Sequence, residues 1–464
     1  MASVSAKAPN QGDLTQGTPW KKILYFTIPL LIGNVFQQLY NVVDTIIVGH
    51  YVGESALAAV GLAFPILFFL ISMFMGLGVG ATVLIAQFFG AKDFEHLKRV
   101  TTTTYIFLFW GAIAMTIIGL LTCSGVLKLM NTPTDVFDQA KAYLNISYLG
   151  TIGVFGYNSI CAILRGIGDS KSPLYFLIVA TIVNIILDLL FVAVFRWGVA
   201  GAAWATIIAQ FVSFIISALY LNRHYPLIRI NFKELIFDKK LFKEIVRIGI
   251  PAAIQQMLVS LGLIAVQRLV NSYGTNTMAG FTAASRIDSF AMMPIMNIGS
   301  AISTFTGQNI GAGKIDRIKK GTVSGNIMTI IYCALALVII LLFGRILLRI
   351  FNDNPEVVNA GLSYLHIVSP FYCTVGIMFV FTSVMRGAGD AIRPLIVSLG
   401  AMWFFRVPIA YLLSGLFHTP DGIWWAFPIG WTIGLLMSLI FYYRGKWKQH
   451  AIVFTIPSNQ EQTA

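Results

Sequence analysis

Two aspartates, Asp44 and Asp188, stand inside long apolar runs, where an ionisable side chain is costly and by default marks function. Asp44 lies seven residues before Tyr51, at the end of the first run, and Asp188 lies eight before Arg196, at the end of the fifth. Thr206 lies eight after Gly198, where the sixth run leaves the same boundary. At about 1.5 Å per residue all three sit ~10–12 Å below that boundary. Asn184 is one helical turn from Asp188 on the same face. Two carboxylates, an amide oxygen and a hydroxyl at one depth fit an oxygen cage for a small cation such as Na⁺, or an acid pair that shares a proton. Asn34, Gln37, Asn41 and Asp44 recur at helical spacing and are expected to face the interior of the first lobe, with Gln38 and Tyr40 beside them on the wall of a substrate cavity.

Four further ionisable residues fall within apolar runs: Arg268, Arg286, Asp288 and Arg406. Asp288 falls near the middle of its run, where it either meets a cationic ligand or neutralises Arg286 or Arg406. Arg268 is close enough to the outer boundary to snorkel. Met257, Met292, Met293, Met296, Met378 and Met402 cluster in the second half. Thioethers adapt to irregular ligands, and with Gln256 they suit a promiscuous cavity, although core filling explains any single Met as well. No His, Ser or Cys constellation accompanies the acids, so an enzyme is not expected. Cys123, Cys161, Cys333 and Cys373 show no C-x-x-C spacing and read as small core residues, not as a metal or disulfide framework.

The elements that must carry these residues are membrane helices. The 464 residues are 57% hydrophobic and 11% charged, with mean hydropathy +0.78, whereas a soluble domain carries roughly 25% charge. About twelve stretches reach the ~20 apolar residues that a spanning helix needs. The net charge of +13 does not imply a nucleic-acid partner, because 24 of the 32 Lys and Arg fall in alternate loops and the tails. That asymmetry is the positive-inside rule and puts both termini in the cytoplasm.

A motif used twice organises the chain. Residues 165–173 read RGIGDSKSP and residues 386–394 read RGAGDAIRP, 386 − 165 = 221 positions apart. Pro29 matches Pro251, and QFFGAKDFEHLKR (87–99) matches QNIGAGKIDRIKK (308–320). Two six-helix lobes in parallel orientation follow, related by a pseudo-two-fold axis along the membrane normal: an all-α polytopic membrane protein. The expected boundaries are a disordered cytoplasmic segment 1–19, a first lobe 20–221, a linker 222–247, a second lobe 248–443 and a tail 444–464. The second part of the linker reads as a basic amphipathic helix on the membrane surface.

The repeat also sorts the polar residues. Asp44 aligns with Val266 and Asp188 with Ile409, so the second lobe needs no acid at either place. Asp169 and Asp390 are duplicated, and GxGD in a turn is therefore scaffold and not a protease pair: the glycines turn the chain, Arg165 and Arg386 neutralise the acids, and Pro starts the next helix. GQNIGAGKI (307–315) misses the phosphate-loop spacing by one and has Ile315 where Ser or Thr is required. An ion gradient or passive movement must then drive any transport.

Taken together, the twelve spans, the duplicated RGxGD…P loops and the run NVVDTIIVGHYVGESALAAVG resemble the multidrug and toxic compound extrusion (MATE) family over essentially the whole chain from Trp20 to about Lys448. The resemblance implies a monomeric cation-coupled exporter of amphipathic, cationic organic molecules in the cell membrane, with H⁺ or Na⁺ as coupling ion and no other cofactor. It assigns the first-lobe cation site to an Asp in helix 1, Asn-x-x-x-Asp in helix 5 and a Thr in helix 6, matched here by Asp44, Asn184, Asp188 and Thr206. The family's second-lobe acids in helices 7 and 10 have no counterpart in this chain, and an acid in helix 8, which some relatives use to hold drugs, has one in Asp288. A flippase for a lipid-linked precursor would be expected to show a basic cavity, whereas the first lobe here is acidic.

Overall fold

The computed structural model describes residues 12–231 and 235–454, and among these no strand occurs. The first half contains α1 (Pro19–Tyr51), α2 (Glu54–Ala91), α3 (Phe94–Leu129), α4 (Thr134–Leu149), α5 (Thr151–Gly166), α6 (Lys171–Asp188) with a π-helical continuation Leu189–Val194, and α7 (Gly198–His224). The second contains α8 (Lys239–Asn271), α9 (Thr275–Gly311), α10 (Ile315–Arg349), α11 (Pro355–Val368), α12 (Tyr372–Gly387), α13 (Ile392–Leu399), the π-helical Gly400–Arg406, α14 (Val407–Phe417) and α15 (Asp421–Tyr443).

Among the described residues ten helices are long and apolar enough to cross a membrane, and α4 with α5, bent by 48° at Gly150, makes an eleventh. The twelfth expected span is α9. Its 37 residues reach ~55 Å at 1.5 Å per residue, but Arg286, Asp288, Asn297 and Gln308 dilute its apolar character. The chain is a multi-pass membrane protein built on the expected helices.

Two compact units emerge, with boundaries that differ from those expected. One holds Gly12 and Ile28–Ile250, and the other holds Asp13–Thr27 and the chain from Pro251. The change of unit falls next to Pro29 inside α1 and at Pro251 inside α8, where a missing N–H and a ring clash loosen the helix. The linker therefore belongs to the first unit. Its basic stretch is no separate surface helix: Lys239–Arg247 forms the first turns of α8, with Leu241, Ile245 and Ile248 buried.

Each unit closes one end with a strap of extended chain. In the second unit, Gln308 Oε1 accepts from Leu14 N at 2.9 Å, Lys314 Nζ donates to Thr15 O at 2.9 Å, and Asn309 Nδ2 reaches Leu14 O. The Arg317 guanidinium spreads over the carbonyls of Leu14, Gln16 and Gly17. Residues 12–18 are thus ordered, not disordered as expected, because backbone groups of the strap are satisfied by charged and amide side chains. The string that resembled a phosphate loop binds this strap. In the first unit, Thr102 Oγ1 donates to Ile236 O at 3.1 Å and Asp238 N donates to Thr103 Oγ1 at 3.1 Å.

The duplicated loops are scaffold, but not by the expected ion pair. Asp169 N donates to Leu164 O and Asp390 N to Met385 O, the reach-back of a left-handed helix end. Gly168 and Gly389 supply its positive φ of 90° and 97°. Asp169 accepts from the N–H groups of Lys171 and Ser172 in the first turn of α6, and from the Tyr225 hydroxyl at 2.9 Å. Burial and this carboxylate push the Tyr225 phenol well up, so it stays a donor. Asp390 pairs with Arg393, while Arg386 donates to Gln255 at 2.8 Å. Each acid thus meets groups nearer than its motif arginine. Arg317→Ala should cost the strap about 1.5–3 kcal/mol, the worth of a charged hydrogen-bond set. Hydrogen exchange should then show faster opening of residues 13–17 with the helices unchanged.

Candidate functional site

The first lobe brings Asp44, Asn184, Asp188 and Thr206 together. Asp188 ends α6 and passes directly into the π-helical turn, a departure from α-geometry that is frequent at functional sites. Val48, Val192 and Ala202 stand one turn from Asp44, Asp188 and Thr206 respectively, and all three lie in one buried apolar cluster with Ile47, Ala56 and Val199. The polar groups therefore share one depth, roofed by an apolar layer one turn away.

Asp188 and Asn184 are fully buried and Asp44 nearly so. The two carboxyl groups act on each other through charge and lie close enough for a hydrogen bond once one of them carries a proton. Asp44 Oδ1, both oxygens of Asp188, both polar atoms of Asn184 and Thr206 Oγ1 are buried and make no well-formed hydrogen bond. A buried polar atom left unpaired costs roughly 1–3 kcal/mol, so this concentration of them in one lobe is the arrangement of a binding site and not of a packed core. A proton shared between the acids, or a cation held by the oxygens, would relieve both the orphaned atoms and the carboxylate repulsion.

The family follows from comparison with known proteins. The MatE family model matches residues 29–190 and 251–412, one match per half. The chain belongs to the MatE family. It is 34% identical over 444 residues to the probable multidrug resistance protein YoeA of Bacillus subtilis, covering 93% of this chain and 95% of that one. It is 32% identical to YpnP of the same organism, covering 94% and 97%. A crystal structure described as MATE in the bent conformation superposes with a TM-score of 0.89 at 25% identity, covering 96% of this chain and all of that one.

In this MatE transporter the structure adds two tyrosines to the cage. Tyr40 lies by Thr206 and within electrostatic range of both acids, and Tyr143 on α4 is within range of both. Tyr40 was placed on the cavity wall by its position. Tyr143 was missed because it has a twin, Tyr364, 364 − 143 = 221 positions on. Gln210, one turn beyond Thr206, also keeps a buried, unpaired Oε1.

The polar residues of α1 form one stripe that is buried along one edge only. At about 100° per residue, Asn34, Gln37, Asn41 and Asp44 fall within one arc of about 80°, with Tyr40 beyond its Asp44 edge, and burial rises toward that edge. Accordingly Tyr40 and Asp44 are buried, Gln37 is half-buried, and Asn34, Gln38 and Asn41 are exposed, with Asn41 donating to Gln38 at 3.4 Å. In the second lobe Gln256 is exposed and Met292 half-buried. Asp288 interacts with Arg406, Tyr364 and Tyr372, not with the exposed Arg286. Arg268 is exposed, as snorkelling requires. Tyr143→Phe should raise the cation concentration needed for half-maximal drug efflux by about two- to tenfold, the worth of one hydrogen bond. Expression and melting temperature should hold, and a titration of efflux against external cation checks it.

Proposed function

We propose that this transporter is an antiporter: it exports amphipathic, cationic organic compounds in exchange for H⁺ or Na⁺ taken up by Asp44, Asn184, Asp188 and Thr206. The observation that carries this is the group of orphaned oxygens in the first lobe, whose two acids have no counterpart at the matching positions Val266 and Ile409 of the second. The names of the Bacillus relatives support multidrug efflux. Both termini lie in the cytoplasm on this reading, supported by the Lys and Arg asymmetry. The exposed polar residues Asn34, Gln38 and Asn41 of α1 suit contact with amphipathic molecules of varied shape.

Coupling requires the ion to bind two conformations with different affinity. Before binding, the carboxylates repel and hold α1, α6 and α7 apart at the depth of the cage. A bound proton or Na⁺ removes that repulsion and lets the three helices draw together under the apolar layer of Val48, Val192 and Ala202. Pro29 and the π-helical turn after Asp188 are the places where α1 and α6 can yield. Repacking there reduces the space left for substrate in the first lobe, so cation entry and drug release become one event.

The test is efflux of a fluorescent cation from proteoliposomes under separately imposed pH and Na⁺ gradients. Wild type should respond to one gradient, and Asp44→Asn and Asp188→Asn should each lose most of the gradient-driven rate while remaining folded. Undiminished gradient-driven efflux in both variants would overturn the assignment.

A further inference from the structure

The second lobe repeats the position of the cation cage but fills it differently. Tyr364 stands 221 positions after Tyr143 (364 − 143), and Arg406 stands 221 after Ile185 (406 − 185), the neighbour of Asn184. Where the first lobe offers oxygens, the second offers aromatic rings, one acid and a guanidinium. Arg406 is 7% exposed, and its guanidinium carbon lies 3.3 Å from the centroid of Phe427 and 5.8 Å from that of Trp431. Tyr364 meets Phe427 edge-on at 5.5 Å, and Tyr372 lies 6.3 Å from Trp431. Asp288 and Arg406 act on one another electrostatically, yet they do not form a direct ion pair.

The backbone is shaped for this side chain. Arg406 closes the π-helical segment Gly400–Arg406. A Cβ at Gly430 on α15 would come within 2.9 Å of the Arg406 Cβ, so only glycine there leaves the stem its place. Aromatic faces around a desolvated cation, with a carboxylate near by, are the chemistry that recognises ammonium and guanidinium ligands. Arg406 Nε is buried without a hydrogen-bond partner, and Asp288 is engaged by the Tyr372 and Tyr364 hydroxyls. The arginine is therefore held mainly by ring faces and charge, as a ligand would be, with Nη1 donating to Met402 Sδ at 3.3 Å.

We propose that the Asp288, Tyr364, Tyr372, Phe427 and Trp431 cluster is a cation-binding cage whose occupant is the protein's own Arg406, and that shortening this side chain opens it to a free guanidinium or alkylammonium ion. A tethered cation satisfies Asp288 throughout the cycle. The second lobe then needs no coupling ion, and Asp288 is not the anchor for a cationic substrate. The proposal concerns binding within one lobe and is independent of the antiport reading, because its test measures no transport.

The experiment is thermal unfolding of the purified full chain in detergent with and without methylguanidinium. Arg406→Ala should melt lower than wild type and recover part of the loss as methylguanidinium is added, by mass action on the vacated cage. Wild type and Arg406→Lys should gain nothing at the same concentrations, and neither should the double variant Arg406→Ala with Asp288→Asn. If Arg406→Ala is not recovered folded, Arg406→Gln, which keeps the stem and removes the charge, takes its place in the same comparison. No recovery in the single variant, or equal recovery in the double variant, would overturn the proposal.

Discussion

Two carboxylates buried side by side in an apolar lobe are the constraint on which the rest of this molecule turns. As carboxylates the two acids leave Asp44 Oδ1 and both Asp188 oxygens without a well-formed hydrogen bond, and each stands one helical turn from a buried apolar cluster. In a medium of low dielectric constant their repulsion is felt across the lobe, and only a proton or cation can remove it. A site of this kind stores the difference between two arrangements of α1, α6 and α7. The proline in α1 and the π-helical turn beyond Asp188 place the yielding points of those helices next to the charge.

The duplicated framework makes that asymmetry possible. In both halves a first glycine permits close approach, Gly166 to Thr82 O and Gly387 to Ser303 O, and a second supplies the positive φ that ends the helix. The same framework carries an oxygen-lined cage in one lobe and an arginine seated on Phe427 in the other. On the proposed reading, one lobe takes up an ion and the other is served by its own arginine, so that duplication provides the scaffold twice and the switch once.

The first-lobe cage was legible in the sequence because depth can be counted from helix ends and because its acids lack twins. The same comparison hid Tyr143, whose twin Tyr364 faces a different acid. Arg406 was visible as a buried charge, but its partner depended on packing between α9, the π-helical segment and α15, which spacing does not encode. The α1 stripe was legible, but which of its edges is buried depends on the packing around Tyr40 and Asp44, which spacing does not encode. The ordering of residues 12–18 was not legible at all: a polar, Gly-containing segment looks mobile until Gln308, Lys314 and Arg317, nearly three hundred residues away, are placed against it. The ion pairs assumed for the duplicated loops failed for a similar reason, since Asp169 and Asp390 meet the next helix before they meet Arg165 or Arg386.

The central claim is that ion and drug compete through the first-lobe acids. It is tested most directly by calorimetric titration of a cationic drug into the purified protein, in buffers of different ionisation enthalpy and with and without Na⁺. Drug binding should release a proton, or lose affinity with added Na⁺, and this linkage should vanish in Asp188→Asn while the drug still binds. Linkage of undiminished size in Asp188→Asn would contradict the claim.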